Sequence, residues 1–162
     1  MNATLNSNIT FIGGGNMAQA LIGGLLARGL PTTRIMVSDP VEAIRQLLHE
    51  KEIQAVDDNV KAIKNADVVV LAVKPQVLGT VLKPLYGLFE GKLIVSIIAG
   101  AEIETIAALT GTDRVVRVMP NTPALVQTGA HGLYANENVT TKDRDLASQI
   151  LAATGLTIWV NS

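Results

Sequence analysis

Residues 9–18, ITFIGGGNMA, form a short β-branched run that leads directly into three glycines and then into a long apolar stretch. Gly13 permits a tight turn out of a strand, and Gly15 lets a ligand approach the backbone because it has no Cβ. Ala18 lets the following helix pack close to the strand. The first N–H groups of that helix favour a phosphate, so the turn predicts a site for the pyrophosphate of a dinucleotide, NADP or NAD. The predicted contacts are Gly13, Gly14, Gly15, Asn16, Met17 and Ala18.

The rest of the chain alternates short apolar runs with helical stretches. Residues 68–73, VVVLAV, are apolar throughout, which is typical of a parallel strand that is covered on both faces. The order of elements predicts an α/β fold, a doubly wound, mostly parallel Rossmann-type sheet with helices on both faces, in one NAD(P)-binding domain over residues 1–162. The predicted strands are 9–12, 34–38, 68–73, 93–97, 115–119 and 156–160; the predicted helices are 16–27, 40–48, one from 76 that Pro84 ends or kinks, 102–109 and 141–153.

Composition narrows the possible partners. The net charge is −1, which gives no electrostatic reason for binding nucleic acid or an anionic membrane. Cysteine is absent and there are only two histidines, so disulfides, thiolate catalysis and a metal site are not expected. No apolar run approaches the length of a membrane span, and residues 1–8 do not resemble a signal peptide. We therefore expect a cytoplasmic location.

A second polar motif, Ser38-Asp39-Pro40, ends the strand after the first predicted helix. Asp39 lies 24 residues beyond Gly15, near the position of an acid that binds the adenosine ribose 2′-OH and favours NAD. The same carboxylate stands before a first-turn proline, where it would cap a helix, and the two roles are compatible. Arg45, about two helical turns further on, is a poor clamp for the 2′-phosphate of NADP.

Further motifs follow the later strands: AVKPQ at 72–76, SIIAG at 96–100, RVMPNTP at 117–123 and GLYA at 132–135. Together with the glycine turn, they make essentially the whole chain resemble pyrroline-5-carboxylate reductase. The resemblance implies hydride transfer from a reduced nicotinamide to the C=N bond of 1-pyrroline-5-carboxylate, which gives L-proline in the last step of proline biosynthesis. No catalytic side chain is assigned, since a protonated cyclic imine needs orientation more than a strong base.

The resemblance also implies contacts beyond the glycine turn. The implied cofactor-binding residues are Ser38, Asp39, Asn59, Val73, Lys74, Pro75, Ala99, Gly100, Asn121 and Thr122. Asn59 is expected near the adenosine ribose, with a plain helix N-cap as the alternative. Lys74 contacts cofactor hydroxyls or is a solvated lysine. Asn121 and Thr122 lie beneath the nicotinamide or form a rigid turn between two prolines.

Two departures from the family pattern bear on function. Asp39-Pro40 replaces an Asn-Arg-like pair suited to NADP, so the choice between NADPH and NADH stays open. Ile98 replaces a small residue, and it is either tolerated in the packing or narrows the nicotinamide pocket.

The family's second domain is the other point of comparison. In the family a helical domain supplies most of the substrate site and the dimer interface, and SGSGPAY-like and GTT-like stretches mark it. Neither stretch occurs in this sequence. We therefore expect the cofactor half alone, inactive by itself, with a homo-oligomer formed only together with that domain. A β-hydroxyacid or prephenate-type dehydrogenase domain and a stand-alone dinucleotide-binding module are the alternatives.

Overall fold

The structure, a computed structural model, describes residues 6–120, 130–135, 138–152 and 156–159. Within these residues, α-helices alternate with the strands of one sheet. The strands are β1 Ile9–Ile12, β2 Ile35–Ser38, β3 Gln54–Val56, β4 Val68–Leu71, β5 Leu93–Ser96, β6 Val115–Pro120, β7 Ala130–Ala135 and β8 Leu156–Trp159. The helices are α1 Asn16–Ala27, α2 Glu42–Glu50, α3 Asn59–Ile63, α4 Leu78–Leu82, α5 Ile103–Thr110 and α6 Thr141–Leu151.

The described strands form one eight-stranded sheet in the order β3-β2-β1-β4-β5-β6-β7-β8. The first six strands of this order pair in parallel, whereas β7 runs antiparallel to β6 and parallel to β8. Chain order reverses between β1 and β4, whose ends are in register at Ile12 and Leu71. In an open α/β sheet, this reversal marks the crevice where ligands bind.

The sheet separates two apolar cores. Strand β4 is fully buried, with Val68 and Val70 in one core and Val69 and Leu71 in the other. Side chains of α1, α2 and α6 fill the first core, and side chains of α3, α4 and α5 fill the second. A strand that is covered on both faces needs apolar residues at every position, which explains the uninterrupted VVVL sequence. The predicted α/β fold class, a doubly wound, mostly parallel sheet with helices on both faces, is therefore confirmed.

The boundaries of the predicted strands hold to within one or two residues, but two strands were not predicted. Strand β3 lies at the edge of the sheet and pairs only with β2 among the described strands. Strand β7 pairs with β6 from Val116 opposite Ala135 to Pro120 opposite His131. The sequence from 54 to 56 is very short, and AHGLYA at 130–135 lacks β-branched residues, so neither segment carries a strong strand pattern.

Two helices begin two residues later than predicted, and α5 begins one residue later, at Ile103. Helix α2 begins at Glu42 after Val41 and runs to Glu50, and no side chain caps it, so Asp39 is not its N-cap. The Asp39 carboxylate instead accepts a hydrogen bond from the Val41 N–H, just before the helix. Pro75 begins a 3₁₀ turn, Pro75–Val77, which passes into α4, and Pro84 lies in a second 3₁₀ turn, Lys83–Leu85. A proline fits the first turn of each short helix because its missing N–H is not needed there.

The remaining helix boundaries follow their capping residues. Helix α5 ends at Thr110, and its C-cap is Gly111, whose φ of +81° is a left-handed conformation that suits glycine. Helix α6 begins after Thr140, whose hydroxyl accepts a hydrogen bond from the Asp143 N–H at 3.1 Å. In the described part of the chain, no helix combines the length and apolarity needed to cross a membrane.

Candidate functional site

A crevice of about 630 Å³ opens at the carboxyl ends of β1, β2 and β4, where chain order reverses. It contains seven of the residues predicted to bind a cofactor: Gly13, Gly15, Ser38, Asp39, Asn59, Val73 and Lys74. Its other lining residues are Ile12, Pro40, Val41, Ile44, Asp57, Ala72, Val77, Thr80 and Val81. The structure thus brings together side chains and backbone from three strand ends that are far apart in the sequence.

Gly13 makes the turn out of β1 possible. Its φ is +102°, and a Cβ at this position would lie 2.5 Å from the Ala72 carbonyl oxygen. Its N–H donates a hydrogen bond to the Ser38 carbonyl at 2.8 Å. Only glycine fits both the backbone conformation and the close approach to β4, which agrees with its predicted role.

Gly14 and Gly15 face opposite environments. A Cβ at Gly14 would lie 2.9 Å from Ile44 Cγ2 and 3.1 Å from Val37 Cγ1, so this residue packs against the protein. A Cβ at Gly15 would meet no atom within 4 Å, and Gly15 lines the crevice. Gly15 is also the N-cap of α1, and no side chain caps that helix. The bare backbone and the helix N-terminus fit a pyrophosphate on this side.

Asn16, Met17 and Ala18 are not among the residues that line the crevice. Ala18 is fully buried in the core beside Ile9 and Phe11, as expected of the small residue that lets α1 approach β1. Asn16 is exposed and Met17 is half-buried, both in the first turn of α1.

Asp39 is buried and bonded on both carboxylate oxygens. Its Oδ2 accepts a hydrogen bond from the Gly14 N–H at 2.8 Å, and its Oδ1 accepts one from the Val41 N–H at 2.8 Å. The carboxylate therefore links the glycine turn to the start of the next helical segment. The sequence placed Asp39 at the site and before a helix start, but it gave no sign of the hydrogen bond to Gly14.

Ser38 and Asn59 form a polar pair on the crevice wall. The Ser38 hydroxyl donates a hydrogen bond to Asn59 Oδ1 at 2.5 Å. Asn59 is not the N-cap of α3; Asp58 caps that helix by accepting a hydrogen bond from the Lys61 N–H at 3.2 Å. The capping alternative for Asn59 is therefore wrong, because the preceding aspartate performs that role.

The segment after β4 forms the opposite wall. Val73 and Lys74 line the crevice, with Lys74 exposed, whereas Pro75 starts the adjoining 3₁₀ turn and is not part of the lining. Thr80 and Val81, one helical turn beyond Val77, were not predicted to line it. Their spacing on α4 was the available signal, since residues three and four apart share one helix face.

The residues predicted near the nicotinamide are not part of this lining. Ala99 and Gly100 are exposed after the end of β5, and Gly100 has a φ of +75°. Asn121 and Thr122 lie outside the described residues. Ile98 is 1% exposed in the second core, so it is packed into the protein and does not line the crevice.

The reversed strand order, the glycine turn and the crevice at the switch point define a Rossmann-type domain of the nucleotide-binding class. The family model described as NADP oxidoreductase, coenzyme F420-dependent, matches residues 8–100, which is more than half of the chain. The chain belongs to this family.

The chain is also similar to pyrroline-5-carboxylate reductases. That of Haemophilus influenzae is 46% identical over 94% of this chain and 57% of its own length. The structure of the Coxiella burnetii enzyme superposes with a TM-score of 0.89 at 42% identity, covering 96% of this chain and 59% of that protein. The Plasmodium falciparum enzyme with NADP bound gives a TM-score of 0.82 at 26% identity, covering 96% of this chain and 58% of that protein.

The resemblance indicated by the sequence motifs is therefore confirmed. The sequence predicted a nicotinamide dinucleotide, NADP or NAD. The matching family is named for NADP, and the Plasmodium falciparum structure has NADP bound. The chain spans less than three fifths of the length of the reductases it matches.

Proposed function

We propose that this chain is the cofactor-binding part of a pyrroline-5-carboxylate reductase. In this role it binds NADPH or NADH, and the complete enzyme reduces 1-pyrroline-5-carboxylate to L-proline. The observation that carries the proposal is the 46% identity with the Haemophilus influenzae reductase over 94% of this chain. The matched region covers nearly the whole chain, so it extends over the loops at the strand ends, where function resides in such folds.

The crevice supports a specific orientation of the dinucleotide. We place the pyrophosphate at Gly15, where the backbone is bare, and beside the backbone of Asn16 and Met17 in the first turn of α1, where the helix dipole favours negative charge. The adenosine ribose is placed beside Ser38 and Asn59, because both line the crevice at the end of β2.

We place the rest of the cofactor along the crevice wall after β4 and the loop after β5. Val73, Lys74 and Pro75 follow β4 beside the crevice. Ala99 and Gly100 follow β5, the next strand of the sheet, and are proposed to contact the nicotinamide. Asn121 and Thr122 are proposed for the same role on the sequence resemblance alone.

A reduced nicotinamide supplies the hydride in this reaction class. The chain's own contribution is to bind the dinucleotide in one orientation and to keep one face of its ring open to the imine. Orientation of this kind lowers the barrier without an acid or a base from the protein.

The remainder of the enzyme is proposed to supply the other functions. Substrate binding and dimerisation are assigned to the part of the related reductases that this chain does not span. The chain by itself is then expected to bind cofactor and to show negligible turnover.

The test mixes the complete protein that contains this chain with 1-pyrroline-5-carboxylate and either NADPH or NADH. The proposal predicts that the absorbance of the reduced nicotinamide falls and that proline forms in equal molar amount. Failure to form proline with both cofactors, in a preparation that binds them, would overturn the assigned reaction. Residues 1–162 alone serve as the control that should bind cofactor without producing proline.

A further inference from the structure

Asp39 joins the glycine turn to the loop before α2. Its carboxylate accepts one hydrogen bond from Gly14 and one from Val41, both at 2.8 Å, and the residue is only 7% exposed. Hydrogen bonds to an ionised acceptor are about twice as strong as those between neutral groups. The carboxylate therefore holds two backbone segments together at the edge of the crevice.

The main chain of Asp39 is held as well. Its N–H donates a hydrogen bond to the Val56 carbonyl at 2.9 Å, and its carbonyl accepts one from Arg45 Nη1 at 2.9 Å. Asp39 thus connects β3, α2 and the glycine turn through four separate hydrogen bonds. Such a residue has little freedom to turn toward a ligand.

We propose that Asp39 is a positioning residue that shapes the phosphate turn and does not select the cofactor through its adenosine ribose. This inference rests on the proposed function, because it concerns how the same crevice accepts NADPH or NADH. By holding the Gly14 N–H inward, the carboxylate leaves Gly15 as the backbone that faces the crevice.

The packing around Gly14 makes this orientation specific. Gly14 lies so close to Ile44 and Val37 that it has no room for a Cβ, while the side of Gly15 is open. Without the carboxylate, the buried Gly14 N–H would lose its hydrogen-bond acceptor. If the turn rearranged so that this N–H reached another acceptor, Gly15 would no longer face the crevice in the same way. Loss of the Asp39 carboxylate should therefore weaken the binding of every dinucleotide, because each one binds through its pyrophosphate.

The test measures the affinities of the full chain and of Asp39→Asn for three ligands: NADH, NADPH and NADH that lacks the adenosine 2′-OH. Asparagine keeps one acceptor oxygen but presents a donor to the second N–H. A positioning role predicts that all three affinities fall by the same factor, about tenfold, as expected for the loss of one charged hydrogen bond. Glu42→Gln, at an exposed carboxylate outside the crevice, is the matched control and should leave all three unchanged.

Two results would overturn the inference. A ribose-binding acid would make Asp39→Asn shift the affinity ratio toward NADPH and would remove the advantage of the 2′-OH. A residue that only ties loops together would leave all three affinities of the folded variant unchanged. Failure of the unaltered chain to bind any of the ligands would instead count against the proposed function.

A measurement on the unaltered chain covers the case in which the variant does not fold. The Gly14 amide proton should exchange slowly with solvent in the free protein, because it is buried and bonded to Asp39. Its resonance should also shift less than that of Gly15 when NADH is added. Rapid exchange, or a Gly14 shift larger than that of Gly15, would contradict the inward hydrogen bond.

Discussion

A Cβ placed on Gly13 would lie 2.5 Å from the carbonyl oxygen of Ala72, so the first glycine of the turn fits closely against the end of β4. This contact joins the two strands between which chain order reverses. The same residue has a φ of +102°, which an L side chain rarely adopts. The shape of the crevice therefore depends on the absence of a single methyl group.

Replacing this glycine tests that dependence. Gly13→Ala should lower the free energy of unfolding by about 2–4 kcal/mol, because it combines a disfavoured backbone conformation with an overpacked contact. Denaturant unfolding measures the change. Gly87→Ala is the control, since its φ is also positive at +82° but a Cβ there meets no atom within 4 Å. An equal loss in both variants would mean that the approach to Ala72 is not the cause of the additional cost.

Substitutions at Asn59 and at its neighbour Asp58 distinguish cofactor binding from helix capping. Asn59→Ala should weaken NADH and NADPH binding about three- to tenfold, in line with the loss of one hydrogen bond at the crevice. Asp58→Ala should instead cost about 1 kcal/mol of stability through loss of the α3 cap and leave the affinity near that of the unaltered chain. Titration and thermal unfolding of both variants give the comparison. Reversed behaviour would place the ribose nearer Asp58 than proposed.

The ion pair between Arg114 and Asp143 anchors α6 to the start of β6. Two hydrogen bonds of 3.1 and 3.0 Å join the guanidinium to the carboxylate, and the side chain of Asp143 is 8% exposed. Asp143→Asn should lower the free energy of unfolding by about 1–2 kcal/mol, because Arg114, whose side chain is 36% exposed, loses a charged and largely buried partner. The exposed Asp145, on the same helix, provides the control, and Asp145→Asn should change stability by less than about 0.5 kcal/mol. Equal effects would indicate a general response of α6 to loss of charge.

The parts of the fold predicted from sequence are those that local patterns determine. The glycine turn, the fully apolar β4 and the capped α6 each depend on a few adjacent residues whose chemistry permits one local structure. Strands β3 and β7 depend on pairing with distant segments. Gln54–Val56 becomes a strand beside β2, and Ala130–Ala135 becomes one beside β6, although neither has a strong intrinsic preference.

The candidate site shows the same division. The sequence indicated which residues follow the strands, and seven of them line one crevice. It could not indicate that Asp39 bonds to Gly14, because a side-chain contact across 25 residues depends on how β1 and β2 pair. The spacing that favoured a ribose-binding acid is equally compatible with a carboxylate that turns back to the glycine turn.

A substitution at Gly15 should affect ligand binding strongly and stability only slightly. A methyl group there would meet no protein atom within 4 Å and would extend into the space assigned to the pyrophosphate. Gly15→Ala should therefore change stability by no more than about 1 kcal/mol, since its backbone is already in the extended region that alanine readily adopts. Thermal unfolding checks this point before any ligand is added.

The most direct test of the glycine turn as the dinucleotide site is a calorimetric titration of this chain and of its Gly15→Ala variant with NADPH and NADH. We predict saturable one-to-one binding of at least one cofactor to the unaltered chain. We also predict a loss of affinity of about tenfold or more in the folded variant, because the added methyl group excludes the pyrophosphate from the turn. Absence of saturable binding with both cofactors, or unchanged binding in Gly15→Ala, would contradict the proposal that the glycine turn is the dinucleotide site.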